Sequence, residues 1–217
     1  MRGTRASLRC AGISGRLVAE LRSCALAVAP VRAEPNDASE QVTQALRGEP
    51  LHVHERRGGW ARVTTAYEYP GWVAEHALSS DPPQGWLPET RAGDPVAEAR
   101  SYLGAPYLWG GMSERGIDCS GLVHMAYRRL GRLVPRDATP QEEAADPVEE
   151  PRYGDLVTYG REATTHIAFW LGEGRILHAA GGRGVVEEPE PDDLRALRRR
   201  FVRLRPAAQQ QELPRSG

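Results

Sequence analysis

The sequence contains no lysine, so all 28 of its basic residues are arginine. Reactions that need a lysine, such as Schiff-base formation or phosphate binding by a P-loop, are therefore excluded. The 29 acidic residues leave a formal net charge of −1. A nearly neutral chain has no strong field with which to attract nucleic acid or an anionic membrane. We therefore expect neither as a partner.

Cysteine is also scarce, with Cys10, Cys24 and Cys119 as the complete set. An odd number without a CxxC pair argues against a disulfide framework and against a structural zinc site. A chain of 217 residues buries enough surface to fold without either. The sequence therefore predicts no metal and no cofactor, and it favours a reducing compartment.

Long hydrophobic runs are missing as well, and no segment approaches the ~20 apolar residues that cross a bilayer. The N-terminus is basic, but its longest uncharged apolar stretch, residues 24–30, is short for a signal peptide and lies too far from the start. These absences predict a cytoplasmic protein. The alternative is a misassigned start codon that hides a signal peptide.

The pattern of apolar residues divides the chain into two halves. Residues 24–80 carry short apolar runs between turn signals, and the Arg57-Gly58-Gly59 step is typical of a β-hairpin. This half predicts a small all-β barrel, and the proline- and glycine-rich residues 81–93 predict a linker after it. At the two ends we predict an N-terminal extension over 1–23 and a disordered tail over 207–217.

The second half, residues 94–206, shows helix signals followed by strand signals. A first helix after an Asp-Pro pair is predicted to place Val96, Ala99 and Leu103 on one face. A second helix is predicted over 119–130, and strand-like segments follow it. Helices ahead of an antiparallel sheet predict an α+β domain.

Cys119 lies at the predicted start of the second helix, in the stretch DCSG. Asp118 is a good N-cap there, which leaves the sulfur in the first turn beside free backbone N–H groups and the positive end of the helix dipole. That position is expected to lower the thiol pKa below ~8.5. The N–H of Cys119 can face an oxyanion, and Gly121 leaves space for a substrate backbone. Cys119 is therefore a candidate nucleophile, and a small buried apolar residue is the alternative.

A nucleophilic cysteine needs a base, and the chain has six histidines. Four of them are poor partners, since they lie in the first half or around the helix axis from Cys119. His166 and His178 belong to a predicted hairpin that turns at residues 172–174. Such a hairpin places both on one face within hydrogen-bonding reach, so one ring can orient the other.

Four stretches of the second half, APYLWGG, IDCSGLV, THIAFWLG and ILHAAGGRGVV, resemble the NlpC-type cysteine peptidases, papain-like enzymes that cut bacterial cell-wall peptides. The resemblance covers residues 94–205. It implies a papain-like α+β fold in which Cys119 is the nucleophile, His166 the base and His178 the orienting third residue. It also implies that Tyr107 lies near the nucleophile.

The first half resembles the bacterial SH3-like barrels of cytoplasmic family members that recycle wall peptides, through the stretches SEQVTQALRGEPL and YPGWV. Those enzymes release L-Ala-γ-D-Glu by cutting its bond to a diamino acid, and they hold the free amine of L-alanine. The resemblance implies that Glu40, Tyr69 and Asp118 bind this amine and that Ser120 lines the same pocket. The competing interpretations are an exposed Glu40, a Tyr69 that only packs the barrel and an Asp118 that only caps its helix.

Together these features predict a γ-D-glutamyl-diamino-acid peptidase whose partners are small murein peptides. A thiol acyltransferase or amidase on the same scaffold is the second hypothesis, because one acyl-enzyme can pass to water or to an amine. The third hypothesis is a non-catalytic wall-binding protein in which the barrel binds and the second half is inert.

Overall fold

The computed structural model describes residues 19–204, which contain fifteen strands, four α-helices and one 3₁₀ turn. The predicted disordered tail over 207–217 and most of the predicted extension over 1–23 lie outside this range. Within it, no helix is long and apolar enough to cross a membrane. The described residues also contain no group of three or more metal-ligating side chains.

The first domain is a seven-stranded antiparallel sheet that curves around a small core. Its strand order is β3-β2-β6-β5-β4-β1-β7, and short side chains such as Ala45, Val63 and Val73 are fully buried inside it. The predicted hairpin at the two glycines joins β4 to β5, and Gly58 and Gly59 both have positive φ, which suits a tight hairpin turn. The strands are β1 (Glu20–Cys24), β2 (Val28–Arg32), β3 (Gln41–Leu46), β4 (Pro50–Arg57), β5 (Trp60–Thr65), β6 (Pro70–Ala74) and β7 (Leu78–Ser79).

The barrel begins earlier than residue 24, the start predicted from sequence. Strand β1 pairs with both β4 and β7, so residues 20–23 belong to the barrel rather than to an extension. The sequence ELRSC has no apolar alternation that would mark a strand, since its first two residues are exposed and only Ser23 and Cys24 are buried. Pairing with two neighbours, not local preference, makes this segment a strand.

The predicted linker contains no helix or strand, but it packs on both domains. Gln84 donates its backbone N–H to the Gly48 carbonyl of the barrel, and Arg91 does the same to Leu130 of the second domain. Arg128 donates to the Trp86 carbonyl at 3.1 Å. The linker therefore joins the two domains as a packed segment rather than as a free spacer.

The second domain is α+β, as predicted, with α-helices ahead of and beside a six-stranded antiparallel sheet. The strand order is β10-β15-β11-β12-β13-β14, and a two-stranded ribbon of β8 and β9 precedes it. The helices are α1 (Pro95–Arg100), α2 (Cys119–Arg128), α3 (Ala138–Glu143) and α4 (Asp192–Arg195). The strands are β8 (Met112–Ser113), β9 (Gly116–Ile117), β10 (Ala145–Val148), β11 (Leu156–Tyr159), β12 (His166–Gly172), β13 (Arg175–Ala180), β14 (Gly184–Pro189) and β15 (Arg198–Leu204).

Helix α1 is shorter than its sequence pattern predicts. The Asp94 carboxylate caps it by accepting the Val96 N–H at 2.9 Å, and Val96 and Ala99 are buried as expected. Leu103, however, is 49% exposed. The helix ends at Arg100 and the chain turns at Gly104, so Leu103 is no longer on the helical face that the spacing assumes.

Helix α2 is the central element of the second domain and carries Cys119 at its first position. All ten of its residues are buried, and it packs against α1, β12 and β13. It ends two residues before the predicted end, and Gly131 follows with the positive φ expected of a helix stop. The nucleophile candidate is thus fixed at the end of a fully packed helix.

Candidate active site

The start of α2 is held by an N-cap, as the sequence predicts. The Asp118 Oδ1 atom accepts the Gly121 N–H at 2.6 Å, which leaves Cys119 in the first turn. The Cys119 sulfur also receives backbone hydrogen bonds from Ile167 and Ser120. Ile167 directly follows His166 on β12, so the thiol lies beside the strand that carries the candidate base.

The thiol pKa is where the sequence-based expectation is wrong. Burial raises the pKa of Cys119 to about 12, the Asp118 charge adds to this rise, and the backbone N–H groups only partly oppose it. Burial likewise lowers the pKa of His166 to about 3. At neutral pH the resting pair is therefore a neutral thiol and a neutral imidazole.

Alkylation of Cys119 by iodoacetamide tests this assignment. Because the raised pKa keeps the thiol protonated, we expect slower reaction at pH 7 than for a free cysteine, and a rate that is still rising above pH ~8.5. The measurement uses a Cys10→Ser, Cys24→Ala background, in which Cys119 is the remaining thiol. A rate plateau reached below pH ~8.5 contradicts a buried neutral thiol.

The two histidines meet as the hairpin pattern predicts. Strands β12 and β13 pair around the turn, with Phe169 opposite Leu177, which places His166 and His178 diagonally on one face. His166 Nε2 and His178 Nδ1 are 2.8 Å apart, and the rings meet edge to face. His178 is 1% exposed, so its orientation is fixed by packing, and its other nitrogen contacts Glu188 at 2.9 Å.

Asp118 lines the cavity beside Cys119 and accepts hydrogen bonds on both of its carboxylate oxygens. Arg136 donates to both carboxylate oxygens, at 3.0 and 2.8 Å, and the Gly110 and Gly121 N–H groups and the Ser120 hydroxyl add three more hydrogen bonds. A carboxylate offers about four lone-pair sites. These contacts fix the Asp118 carboxylate beside Cys119, and its predicted contact with a substrate amine stays a prediction.

The buried Arg136 connects Asp118 to the residues around it. It is 2% exposed, and besides Asp118 it donates to Ser120 at 3.0 Å, to the Gly111 carbonyl and to Thr43 of the barrel at 3.0 Å. These contacts use all five guanidinium hydrogens. Ser120 lines the cavity as predicted, while its hydroxyl belongs to this network.

A cavity of about 420 Å³ opens at Cys119, between the two domains. This volume is in the range of small-ligand sites. Glu40 and Tyr69 of the barrel line it, and Trp109 and Asp137 of the second domain line it too. The barrel therefore supplies part of the wall beside the nucleophile.

The barrel residues predicted for this wall each contact a residue of the second domain. Glu40 is exposed, and its carboxylate accepts the Trp109 indole N–H at 2.7 Å. Tyr69 donates its hydroxyl to Asp137 at 3.0 Å, and burial raises the pKa of this phenol. Their contact with substrate stays a prediction.

Tyr107 is electrostatically coupled to the nucleophile. Burial raises the pKa of its phenol to about 12, and the neighbouring Cys119 and Asp118 charges contribute to the rise. Its backbone bridges to Ile117, two residues before Cys119. Tyr107 thus lies near Cys119 and keeps its hydroxyl proton at neutral pH; its role at the site stays a prediction.

Sequence reasoning missed four residues of the site: Trp109, Arg136, Asp137 and Glu188. Trp109 belongs to the quoted APYLWGG stretch and is 59% exposed, so its motif offered a signal. Asp137 and Arg136 follow α2 in a segment without a motif. Glu188 lies opposite Ile176 in the pairing of β13 and β14, a register that no local pattern shows.

Comparison with known sequences agrees with this geometry. Residues 104–202 match the NlpC/P60 family, and residues 31–78 match the bacterial dipeptidyl-peptidase SH3 domain. Gamma-D-glutamyl-L-lysine dipeptidyl-peptidases of Bacillus cereus and Bacillus subtilis are 33% and 36% identical over 48% and 41% of this chain. Peptidoglycan endopeptidase RipB of Mycobacterium tuberculosis is 37% identical over 42% of this chain and 44% of its own length.

The matched segment spans about a third of each Bacillus relative, 33% and 32%. A crystal structure of an NlpC/P60 family protein from Bacillus cereus covers 86% of this chain and 63% of that one, at 23% identity and a TM-score of 0.50. That likeness concerns the fold alone, and it extends over both domains. The chain thus carries a domain of the NlpC/P60 family, preceded by an SH3 domain of the bacterial dipeptidyl-peptidase type.

Proposed function

We propose that this chain hydrolyses the bond between γ-D-glutamate and a diamino acid in cell-wall peptides whose N-terminal L-alanine has a free amine. The observation that carries the proposal is the cavity at Cys119, where Glu40 of the barrel and Asp137 of the peptidase domain face the same space. Two acids beside a nucleophile suit a substrate that ends in an ammonium group.

The charges of these two acids are available to a ligand. Glu40 accepts a hydrogen bond from an indole and Asp137 from a phenol, and both donors are neutral. Burial raises the pKa of Asp137, and a bound ammonium favours its ionised form. We therefore propose that Asp137 joins Glu40, Tyr69 and Asp118 in binding the amine, with the Tyr69 hydroxyl holding the Asp137 carboxylate.

The reaction follows from the catalytic pair. The Cys119 sulfur attacks the γ-carbonyl carbon of D-glutamate while its proton passes to His166, and the N–H at the helix start faces the resulting oxyanion. His166 returns the proton to the leaving amine of the diamino acid as the C–N bond breaks. Water then hydrolyses the thioester and regenerates the thiol.

The names of the relatives support two versions of this chemistry. Two are gamma-D-glutamyl-L-lysine dipeptidyl-peptidases and one is a peptidoglycan endopeptidase. The acid-lined wall that includes the barrel favours the first version here, because intact peptidoglycan has its L-alanine amine bonded to a sugar. We propose on the same ground that the substrates are released peptides, in a cytoplasmic recycling role.

N-acetylation of the substrate is the decisive test. Acetylated L-Ala-γ-D-Glu-diamino acid lacks the ammonium charge and leaves two acids without a partner, at ~1.5 to 3 kcal/mol for each lost charge-assisted contact. We expect kcat/KM to fall by roughly 10² to 10⁴ relative to the free peptide. Comparable kcat/KM on the two peptides would refute the amine pocket and leave a general cysteine peptidase.

Variants of Glu40 and Asp137 test whether the loss of kcat/KM on acetylation arises at these two acids. Glu40→Gln and Asp137→Asn keep the shape of the wall but remove its charges, so each should lower kcat/KM on the free peptide and narrow the gap to the acetylated one. Glu55→Gln, an exposed acid on the barrel, serves as the control and should change neither value.

The two other hypotheses are separated by products. A thiol acyltransferase or amidase would transfer the acyl group to an added amine or act on another amide, and a wall-binding protein would give no product. Mass spectrometry after incubation with wall tripeptides and with a competing amine distinguishes these outcomes. The contact of His166 with His178 beside a buried cysteine favours catalysis over binding alone.

A further inference from the structure

A carboxylate lies directly behind the histidine pair. Glu188 Oε1 is 2.9 Å from His178 Nε2, on the ring edge opposite the contact with His166. The second oxygen of Glu188 accepts a hydrogen bond from Arg183. In the pairing of β13 with β14, Glu188 lies opposite Ile176, which puts it on the same face as His178.

Glu188 is ionised in this setting. Partial burial opposes its charge, but the hydrogen bonds from Arg183 and His178 prevail and hold its pKa below the usual value. An ionised carboxylate can only accept hydrogen bonds. The hydrogen between Glu188 and His178 must therefore belong to His178 Nε2.

The hydrogen on His178 Nε2 determines the tautomers of both histidine rings. Burial lowers the pKa of His178 and of His166, so each ring is neutral and carries a single hydrogen. With its hydrogen on Nε2, His178 has a bare Nδ1 that must accept from His166 Nε2 at 2.8 Å. His166 then has a bare Nδ1, the nitrogen that a general base requires.

We propose that Glu188 is a positioning residue that fixes the tautomers of His178 and His166 and so leaves Nδ1 of His166 ready to take the Cys119 proton. Arg183 keeps Glu188 ionised and oriented. The inference rests on the proposed cysteine peptidase function, since it assigns a reason for the state of its base. Neither the nucleophile motif nor the two histidine motifs contains this residue.

Loss of the Glu188 carboxylate removes the preference for a hydrogen on Nε2 of His178. His178 can then carry its hydrogen on Nδ1 and donate it to His166 Nε2, which moves the His166 hydrogen to Nδ1 and blocks the base. The other groups that act on these rings do not replace the acceptor. Arg183 and Asp193 act on His178 through their charges, and the Tyr159 ring lies against His166.

The kinetic test compares Glu188→Ala and Glu188→Gln with the control Glu187→Ala. Glu187 is the next residue on β14 and pairs with Arg100 at the surface, so the control loses an ion pair of the same strand. We expect kcat of Glu188→Ala to fall by roughly 10- to 100-fold with KM unchanged. Glu188→Gln, which retains an acceptor oxygen, should recover most of the loss, and Glu187→Ala should match the wild type.

A second readout needs no substrate. Ring ¹⁵N NMR distinguishes protonated from unprotonated nitrogens, and we expect hydrogens on Nε2 of both His166 and His178 in the wild type and a mixture in Glu188→Ala. Wild-type hydrogens on Nδ1, or a folded Glu188→Ala variant with the kcat of the Glu187→Ala control, would overturn the proposal. If the wild type cleaves no γ-D-glutamyl peptide, the proposed function fails, while the ring-nitrogen pattern still decides the role of Glu188.

Discussion

Replacement of Cys119 by alanine is expected to lower kcat by at least ~10⁴-fold, to the limit of detection. Among the described residues, 19–204, the other cysteine is Cys24, which is buried in the barrel at 2% exposure and does not line the cavity at Cys119. Chromatography with mass spectrometry of the released dipeptide measures the loss. The reason is chemical, since without the thiol no thioester forms and the reaction cannot be divided into two easier steps.

Cys24→Ala is the matched control for this experiment. Burial raises the pKa of Cys24 to about 11, so it is an unreactive core residue, and its variant should keep the wild-type kcat. Thermal unfolding of both variants checks that each one folds. Turnover by a folded Cys119→Ala variant above about 1% of the wild-type rate would show that another group is the nucleophile.

The second large effect is expected at His166. His166→Ala removes the nitrogen that accepts the thiol proton, and because the Cys119 pKa is raised to about 12, almost no thiolate forms without it. We expect kcat to fall by roughly 10³ to 10⁴. His76→Ala, at an exposed position of the barrel, is the control and should keep full activity.

Variants of His178 distinguish the role of the general base from the role of the residue that orients it. His178→Ala should lose about 10- to 100-fold in kcat, and His178→Gln less, because a glutamine can still accept the His166 Nε2–H. Initial rates at saturating peptide measure this order. Equal losses for His166→Ala and His178→Ala would assign both rings one indivisible role, and a near-normal rate for His166→Ala would identify a different base.

The parts of this fold that were predictable from sequence are those with local causes. Asp118 caps α2 because an N-cap acts within three residues, and the parity of the β12–β13 hairpin follows from its turn at Gly172–Gly174. Strand β1 and the exposure of Leu103 were missed, since pairing partners and the end of α1 decide them. Local sequence patterns predict short-range geometry, but they do not show which distant segment packs against a given helix or strand.

In the candidate site too, features with local causes are predictable from sequence, and features that depend on distant contacts are not. The helix start predicts a low thiol pKa, yet burial by the whole domain raises it. Arg136, eighteen residues away in sequence, donates to both oxygens of Asp118, a contact that no local motif predicts. Glu188 reaches His178 through strand register alone. Each of these features depends on contacts between segments that are distant in sequence.

The five hydrogen bonds of Arg136 connect the start of helix α2, where Cys119 lies, to the docked barrel. One guanidinium touches Thr43 of the barrel and the carboxylate that caps the nucleophile's helix, and burying it unpaired would be costly. Four of the five hydrogen bonds lie within the second domain, and the fifth, to Thr43, forms only when the barrel is in place. The barrel precedes Cys119 in the chain, so it is synthesised first and is available when the helix of Cys119 forms.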